Sequence, residues 1–405
     1  MIKAAIMGCG TIGSGVYEAV ERNQAVIQRE LGEELRIAKI LDLRNFPGEP
    51  FEKLVVHDFQ ELVSDPEIRI VVETMGGTKP AYEFVKACLL AGKQVVTSNK
   101  ALVAAHGTEL LQIAREKQIN FFFEAAVGGG IPVIRNLGSG YAGQVITEIT
   151  GILNGTTNYI LTRMEREGAD FAAVLSEAQE LGYAERNPEA DIEGYDSCRK
   201  IAILASIMTD REVNFEEVHT EGITKIDSLD FRYAAKLGAS IKLVGSALRE
   251  ADGIAVTVFP LLIAQDNPLY SVSGVYNGIL VKGNLLDTTM LYGSGAGMLP
   301  TASAVLADML EAAKHPAENL RYGWHGKALS PKPVAESSHR YLVRFAGNAA
   351  ELGAEAAERF GRAELIVLEG TEEFALLTPR MREREYRTIA AGFSNIISMI
   401  RAELD

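Results

Sequence analysis

A glycine turn next to the N-terminus constrains this chain more than any other feature. Ile2–Met7 reads as a strand, Gly8-Cys9-Gly10-Thr11-Ile12-Gly13 follows at once, and helical apolar spacing resumes at Val16, Val20 and Ile27. Each glycine has a physical reason there. Gly8 permits the tight turn, Gly10 lets the backbone approach a pyrophosphate, and Gly13 lets helix and strand pack closely. The helix start at Thr11 and Ile12 offers unpaired N–H groups and the positive end of a dipole to the phosphates. The turn alone could be a ligand-free β–α connection, but with a strand before it and a helix after it the reading favours a bound dinucleotide.

The rest of the N-terminal third continues that theme. Arg36–Asp42, Ile68–Glu73, Gln94–Thr97 and Asn120–Glu124 read as strands separated by helical stretches. Apolar strands that alternate with helices imply a parallel sheet covered on both faces. The expected fold class is therefore α/β, with a Rossmann-like doubly wound domain over residues 1–140. Beyond it the pattern changes to helices (Thr157–Arg166, Phe171–Leu181, Tyr195–Met208) and then to strands (Ser240–Leu248, Ile254–Phe259, Gly278–Lys282, Thr288–Tyr292). This reads as an α+β domain for substrate binding and dimerisation over 141–299. A helix within 300–325, with Pro300 suited to its first turn, is expected to pack back on the first domain. After a polar, proline-containing linker at Leu329–Ser338, residues 338–405 read as β-α-β-β-α-β, a small ferredoxin-like unit.

Composition narrows the class of protein. The formal net charge of −14 argues against a phosphate-backbone partner, which needs clustered Lys and Arg. No window approaches the ~18 consecutive apolar residues of a membrane span, and the N-terminus runs directly into a strand, leaving no room for a signal peptide. Three scattered cysteines, Cys9, Cys88 and Cys198, do not make a disulfide framework. The expected setting is the cytoplasm, with a small-molecule substrate and neither nucleic acid nor membrane as partner. No HExxH, CxxC or GxSxG pattern occurs, which disfavours zinc and serine-hydrolase chemistry.

Several constellations remain. Asp42, ending the second strand, could accept from the ribose 2′-OH of NAD, while Arg44 could pair the 2′-phosphate of NADP. The two signals conflict and leave the cofactor open. Gly76-Gly77 and Thr97-Ser98-Asn99-Lys100 follow two further strands, where a doubly wound sheet binds its ligand. Lys100 at that edge can meet a phosphate, a nicotinamide amide or a carboxylate, or simply be a surface lysine. In Glu124-Ala125-Ala126-Val127-Gly128-Gly129-Gly130-Ile131-Pro132, carbonyls and the Glu124 carboxylate could ligate a hard cation, or the segment could be a helix-start turn. Gly182-Tyr183-Ala184-Glu185 leads to Asp191, Asp196 and Lys200, and the last two share a helix face. That spacing fits a surface ion pair, or a carboxylate pair for a substrate ammonium beside a proton-transferring lysine. Gly293 to Gly297, before Pro300, is a second glycine loop able to close over a cofactor or to serve as a connector.

Taken together these motifs resemble one family, homoserine dehydrogenase. The resemblance runs through Val71–Gly77, Thr97–Leu102, Val127–Pro132, Gly151–Ile160, Gly182–Glu185, Asp191–Lys200 and Tyr292–Ala304, covering about residues 1–325. It implies reversible reduction of L-aspartate 4-semialdehyde to L-homoserine with NADPH or NADH, in threonine, methionine and isoleucine biosynthesis. It further implies Lys200 as proton donor and Lys100 touching cofactor and substrate. Glu185, Asp196 and the backbone at Gly182 would bind substrate. Thr74, Ser98 and Gly297 would join Gly8, Gly10, Thr11, Ile12 and Gly13 around the cofactor. A sodium site would comprise Glu124 and the backbone of Val127, Gly129 and Ile131, and the protein would be at least a homodimer.

The last unit resembles an ACT domain. Its first strand–helix loop, Ala346 to Leu352, lacks the Asp-x-Pro-Gly turn of amino-acid-sensing members. Threonine feedback and a structural or dimerising role both stay open. Two competing functions remain: a dehydrogenase of the same fold for another amino aldehyde, and a non-catalytic dinucleotide sensor. A substrate panel separates the first, and tight binding without turnover would mark the second.

Overall fold

Strands buried on both faces need neighbours on both sides, and the apolar runs of the N-terminal third pair accordingly. In the computed structural model, which describes residues 1–404, they form a parallel sheet. Its strands are β1 (Ile2–Met7), β2 (Leu35–Leu41), β3 (Val55–Val56), β4 (Ile68–Glu73), β5 (Gln94–Thr97) and β6 (Phe121–Phe122). They stand in the order β3-β2-β1-β4-β5-β6, with Ala4 opposite Ile37 in β2 and Ala5 opposite Val71 in β4. The order reverses between β1 and β4, so the C-terminal ends of these two strands flank the crevice where open α/β sheets bind ligands. Val16, Val20 and Ile27 are all buried, although a break at Asn23 divides their stretch into helices Thr11–Arg22 and Gln24–Leu31. Residues 1–145, 202–216 and 291–329 form this first compact unit. The helix Met298–Lys314 belongs to it and adds Ala302, Val305, Met309 and Ala312 to the core of β1 and β2.

The second unit comprises residues 146–201, 217–290 and 330–404 and is built on a mixed sheet. Here β7 (Ile146–Ile152) lies between β9 (Ala239–Glu250) and β11 (Tyr276–Gly283), antiparallel to both. The sheet continues from β9 to β10 (Gly253–Ala264), while the short β8 (His219–Thr220) also pairs with β10, and the start of β12 (Thr288–Ser294) edges it beyond β11. The C-terminal segment supplies β13 (Ser338–Ala346), β14 (Glu364–Val367), β15 (Glu373–Leu377), the two-residue β16 (Met381–Arg382) and β17 (Ile396–Glu403). With helices Ala349–Arg359 and Glu383–Ala390 this is a β-α-β-β-α-β order, and its strands stand as β17-β13-β15-β14.

That C-terminal segment does not stand apart as its own sheet. β17 pairs in parallel with β10, Leu261 opposite Arg401, so one sheet runs through both. The sequence also gave no expectation of the helix Ser228–Lys236, which a capping box between Asp227 and Asp230 starts. No helix among the described residues is long and apolar enough to cross a membrane.

Candidate active site

The first unit carries the glycine turn. Gly8 has φ +91°, and a Cβ there would meet Met75 at 2.8 Å, so the turn leaving β1 tolerates no side chain. A Cβ on Gly13 would come within 2.1 Å of the Gly8 carbonyl oxygen, whereas one on Gly10 would meet nothing within 4 Å. Gly8 and Gly13 thus serve the turn, and Gly10 leaves open space where a phosphate can approach. The Thr74 hydroxyl donates to the Gly8 carbonyl at 2.6 Å, tying the end of β4 to the turn. A cavity of about 950 Å³ opens beside it, lined by Cys9, Gly10, Thr11, Tyr17, Arg44 and Phe51 among others. Its size and glycine mouth fit the adenosine end of a dinucleotide.

Asp42 and Arg44, opposed in the sequence reading, are partners. Asp42 accepts from the Cys9 N–H at 2.7 Å and from the Arg44 N–H, Nε and Nη2 at 2.9, 3.0 and 2.9 Å. The Arg44 guanidinium foremost, helped by these backbone donors against the cost of burial, holds the Asp42 carboxyl down at about 2.

Farther along the sheet edge lies a polar network that the motif search missed. The Glu73 carboxylate, fully buried at the end of β4, accepts from the Thr97 hydroxyl at 2.6 Å and the Met75 N–H at 2.8 Å. Burial raises its pKa despite those donors. Asn99 caps the helix Lys100–Glu116 through the Leu102 N–H and donates to the Gly77 carbonyl at 2.6 Å. Lys100 is therefore the first residue of a capped helix at the ligand edge, and Ser98 precedes it with its N–H on the Glu73 carbonyl.

The two later glycine loops meet within this unit. The Gly130 N–H donates to the Ser294 carbonyl at 3.1 Å, and a Cβ on Gly129 would fall 2.5 Å from the Gly295 oxygen. Gly297, at φ +113°, caps the helix Met298–Lys314, and Met298 packs so closely on Gly15 that a Cβ there would clash at 2.6 Å. Glu124 is buried, and its two oxygens accept from the N–H groups of Ile134 and Arg135 at 2.8 and 2.7 Å. Its own N–H donates to Asp308, which also pairs with Arg135 at 2.7 Å. Burial first, and the neighbouring Asp308 charge second, push the Glu124 carboxyl up to about 7. The Glu124 carboxylate and the carbonyls of the following turn at Val127, Gly129 and Ile131 are oxygen donors of the class that a hard cation takes.

The second unit carries a cluster of acid–base residues. Asp196 and Lys200 lie one turn apart on the helix Tyr195–Thr209 and are both buried. Lys200 Nζ donates to the Leu153 carbonyl at 2.7 Å and pairs with Asp196 Oδ2 at 2.8 Å. Two bonds serve three N–H donors, so one remains available among the described residues. Asn154, which caps the helix Gly155–Glu167, donates from Nδ2 to Asp191 Oδ1 at 2.7 Å and to Asp196 Oδ2 at 2.8 Å.

The structure thus gathers Asp191, Asp196 and Lys200 around Asn154, a residue the motif search did not single out. A cap signal, Asn three residues before a Thr at a helix start, was its only local mark. Glu185 is not in that cluster. It is exposed, and its carbonyl accepts from the Gln179 amide at 3.1 Å. Gly182, at φ +75°, turns the chain toward Tyr183, whose carbonyl takes the Thr156 hydroxyl at 2.6 Å.

Comparison with known proteins adds the family context. One family model, described as the homoserine dehydrogenase NAD binding domain, matches residues 8–124, and a second, described as homoserine dehydrogenase, matches 132–310. A homoserine dehydrogenase of Synechocystis sp. is 38% identical, over 98% of this chain and 96% of its own length. The crystal structure of a homoserine dehydrogenase from Thiobacillus denitrificans superposes with a TM-score of 0.89 at 35% identity, covering 99% of this chain and 98% of that one. A hyperthermophilic archaeal homoserine dehydrogenase, solved in complex with NADPH, matches 77% of this chain and 98% of its own, with a TM-score of 0.65 at 28% identity.

Proposed function

The chain belongs to the homoserine dehydrogenase family, NAD(P)-dependent oxidoreductases that interconvert L-aspartate 4-semialdehyde and L-homoserine, and from that premise we propose which of its residues carry each step. The turn Gly8–Gly13, with the N–H groups of Thr11 and Ile12, holds the cofactor pyrophosphate. Thr74, Ser98 and Gly297 line its nicotinamide side. The nicotinamide, when bound, supplies the hydride. The protein must then orient the aldehyde, stabilise the growing charge on its oxygen and deliver one proton.

Lys200 is the residue for the last two tasks. A buried ammonium anchored on the Leu153 carbonyl and Asp196, with one N–H left over, is a preorganised donor for a developing alkoxide. This single observation carries the assignment. After the proton leaves, the lysine is a neutral amine still held by both anchors. Asp196, with Asp191 beside it, provides the negative field for the substrate ammonium, and the backbone at Gly182 and the carboxylate of Glu185 complete that side. Lys100, at the start of its helix, contributes positive charge toward cofactor and substrate.

Homoserine oxidation by wild type and Lys200→Ala tests the assignment. Turnover should fall about 10²- to 10⁴-fold while NADPH binding, read by fluorescence, is unchanged. Turnover within tenfold of wild type would remove Lys200 from the role.

Sodium is the cation that suits Glu124 and the carbonyls of Val127, Gly129 and Ile131. Its part is structural, fixing the glycine loop against Gly295. The melting temperature should rise in NaCl relative to choline chloride at equal ionic strength, and Glu124→Gln should abolish the difference. Equal melting of the wild type in both salts would dismiss the site.

A further inference from the structure

We propose that Asn154 is a positioning residue of the reaction, its carboxamide fixing the oxygen of Asp196 on which Lys200 rests. The proposal deepens the assignment of Lys200 and rests on it. Asn154 is buried and uses both ends of its amide. Oδ1 accepts from the Thr157 N–H at 2.8 Å and hydroxyl at 3.0 Å, which is helix capping. Capping requires only an acceptor, and Ser, Thr or Asp would serve as well. The opposite end, Nδ2, distinguishes this residue. Its N–H donors reach Asp191 Oδ1 at 2.7 Å and Asp196 Oδ2 at 2.8 Å. Among the usual capping side chains only asparagine has two donors to give.

The geometry makes the fork consequential. Asp191 sits in the short helix Glu189–Ile192 and Asp196 in the first turn of Tyr195–Thr209, on either side of Gly194. Two carboxylates brought to one amide repel each other unless donors hold them. The Asp196 oxygen that Asn154 holds is the same Oδ2 that pairs with Lys200. The other anchor of Lys200, the carbonyl of Leu153, belongs to the preceding residue. Leu153 and Asn154 therefore grip the ammonium from two sides, one directly and one through Asp196. If the amide is lost, Asp196 Oδ2 loses the donor that holds it beside Asp191, and the remaining N–H of Lys200 loses its aim.

Asn154→Ser and Asn154→Asp separate the two ends of the amide, because both replacements keep an acceptor for the cap. Wild type, Lys200→Ala and both variants are assayed for homoserine oxidation from pH 6 to 8, with melting and NADPH affinity measured in parallel. Asn154→Ser should lower kcat by about 10- to 100-fold at every pH, with KM, cofactor affinity and melting little moved. Asn154→Asp places a third carboxylate against the other two and should be the worse variant at pH 8. It should recover toward wild type as pH falls and its protonated form regains an O–H donor. Asn154→Ser turnover within twofold of wild type overturns the proposal, as does a loss matched by lost cofactor affinity. A flat ratio of Asn154→Asp to wild type across pH also overturns it, and this isosteric variant decides the matter should Asn154→Ser fail to fold. An inactive wild type, or an active Lys200→Ala, would instead strike the underlying assignment.

Discussion

Two kinds of buried cation stand in the second unit, and they differ in how many carboxylates face them. Arg401, buried, donates to Glu383 through Nε and Nη2 and to Glu221 through Nη1 and Nη2, at 2.8 to 2.9 Å, with its guanidinium 4.4 Å from the Phe259 ring centroid. Arg344, equally buried, reaches Glu373 with two bonds and Asp227 and Asp230 with one each. Lys200 has one carboxylate, one carbonyl and a donor to spare. Planar guanidinium forks that spend four of five donors on two or three carboxylates are fully compensated in charge, and they tie elements together. A lysine with a single carboxylate and a spare N–H is available for chemistry. The number of carboxylates on the cation, more than burial, separates structural charge from working charge here.

The largest effect expected from this contrast is on Arg401. Arg401→Met leaves Glu221 and Glu383 without their shared counter-charge, and removing one partner of a buried pair costs about 3–5 kcal/mol. Chemical unfolding should show that loss, while kcat per folded molecule stays near wild type; Lys200→Ala should show the converse. An Arg401 variant that loses turnover while keeping its stability would break the distinction.

The pH dependence sharpens it. Burial alone would raise the Glu221 pKa, but hydrogen bonds from His219 and Arg401 outweigh that and bring it down to about 2. A carboxyl depressed below its ordinary value of ~4.3 stabilises the fold above that value and stops doing so as pH falls through the folded pKa. Wild type should therefore lose stability from about pH 5 toward pH 2, and Arg401→Met should lose less over the same window. Parallel acid limbs would show that Arg401 does not govern Glu221.

The same contrast explains what the sequence disclosed. The glycine turn, the parallel strands and the β-α-β-β-α-β order are local patterns of spacing, and they read off directly. The Ser228–Lys236 helix carried a local sign too, Asp227-x-x-Asp230, but an aspartate in place of the usual glutamate at the third position hid the capping box. Arg344 and Asp230 are 114 positions apart, and no periodicity announces their pairing. Nor does β17 show in its residues that it will join β10 rather than close a separate sheet. The acidic segment after Gly182 suggested Glu185 and Asp196 as the substrate carboxylates. The structure adds Asp191 beside Asp196, because the amide that joins them enters from a different helix start.

Arg44 tests the smallest case, a cation that saturates its partner without being saturated itself. Both oxygens of Asp42 are taken by Arg44 and by Cys9, whereas the Arg44 side chain is 60% exposed at the adenosine cavity. An Asp already engaged by four donors is poorly placed to hold a ribose 2′-hydroxyl, while an exposed guanidinium over Phe46 can meet a 2′-phosphate. The proposed preference is therefore for NADPH. Arg44→Ala should lower kcat/KM with NADPH about tenfold, and it should raise the value with NADH as Asp42 is released to the ribose. Melting should barely move, since an exposed ion pair contributes little to stability. If the NADPH-to-NADH ratio is unchanged, Arg44 does not read the phosphate, and its bonds to Asp42 and the Cys9 carbonyl serve only to brace the turn.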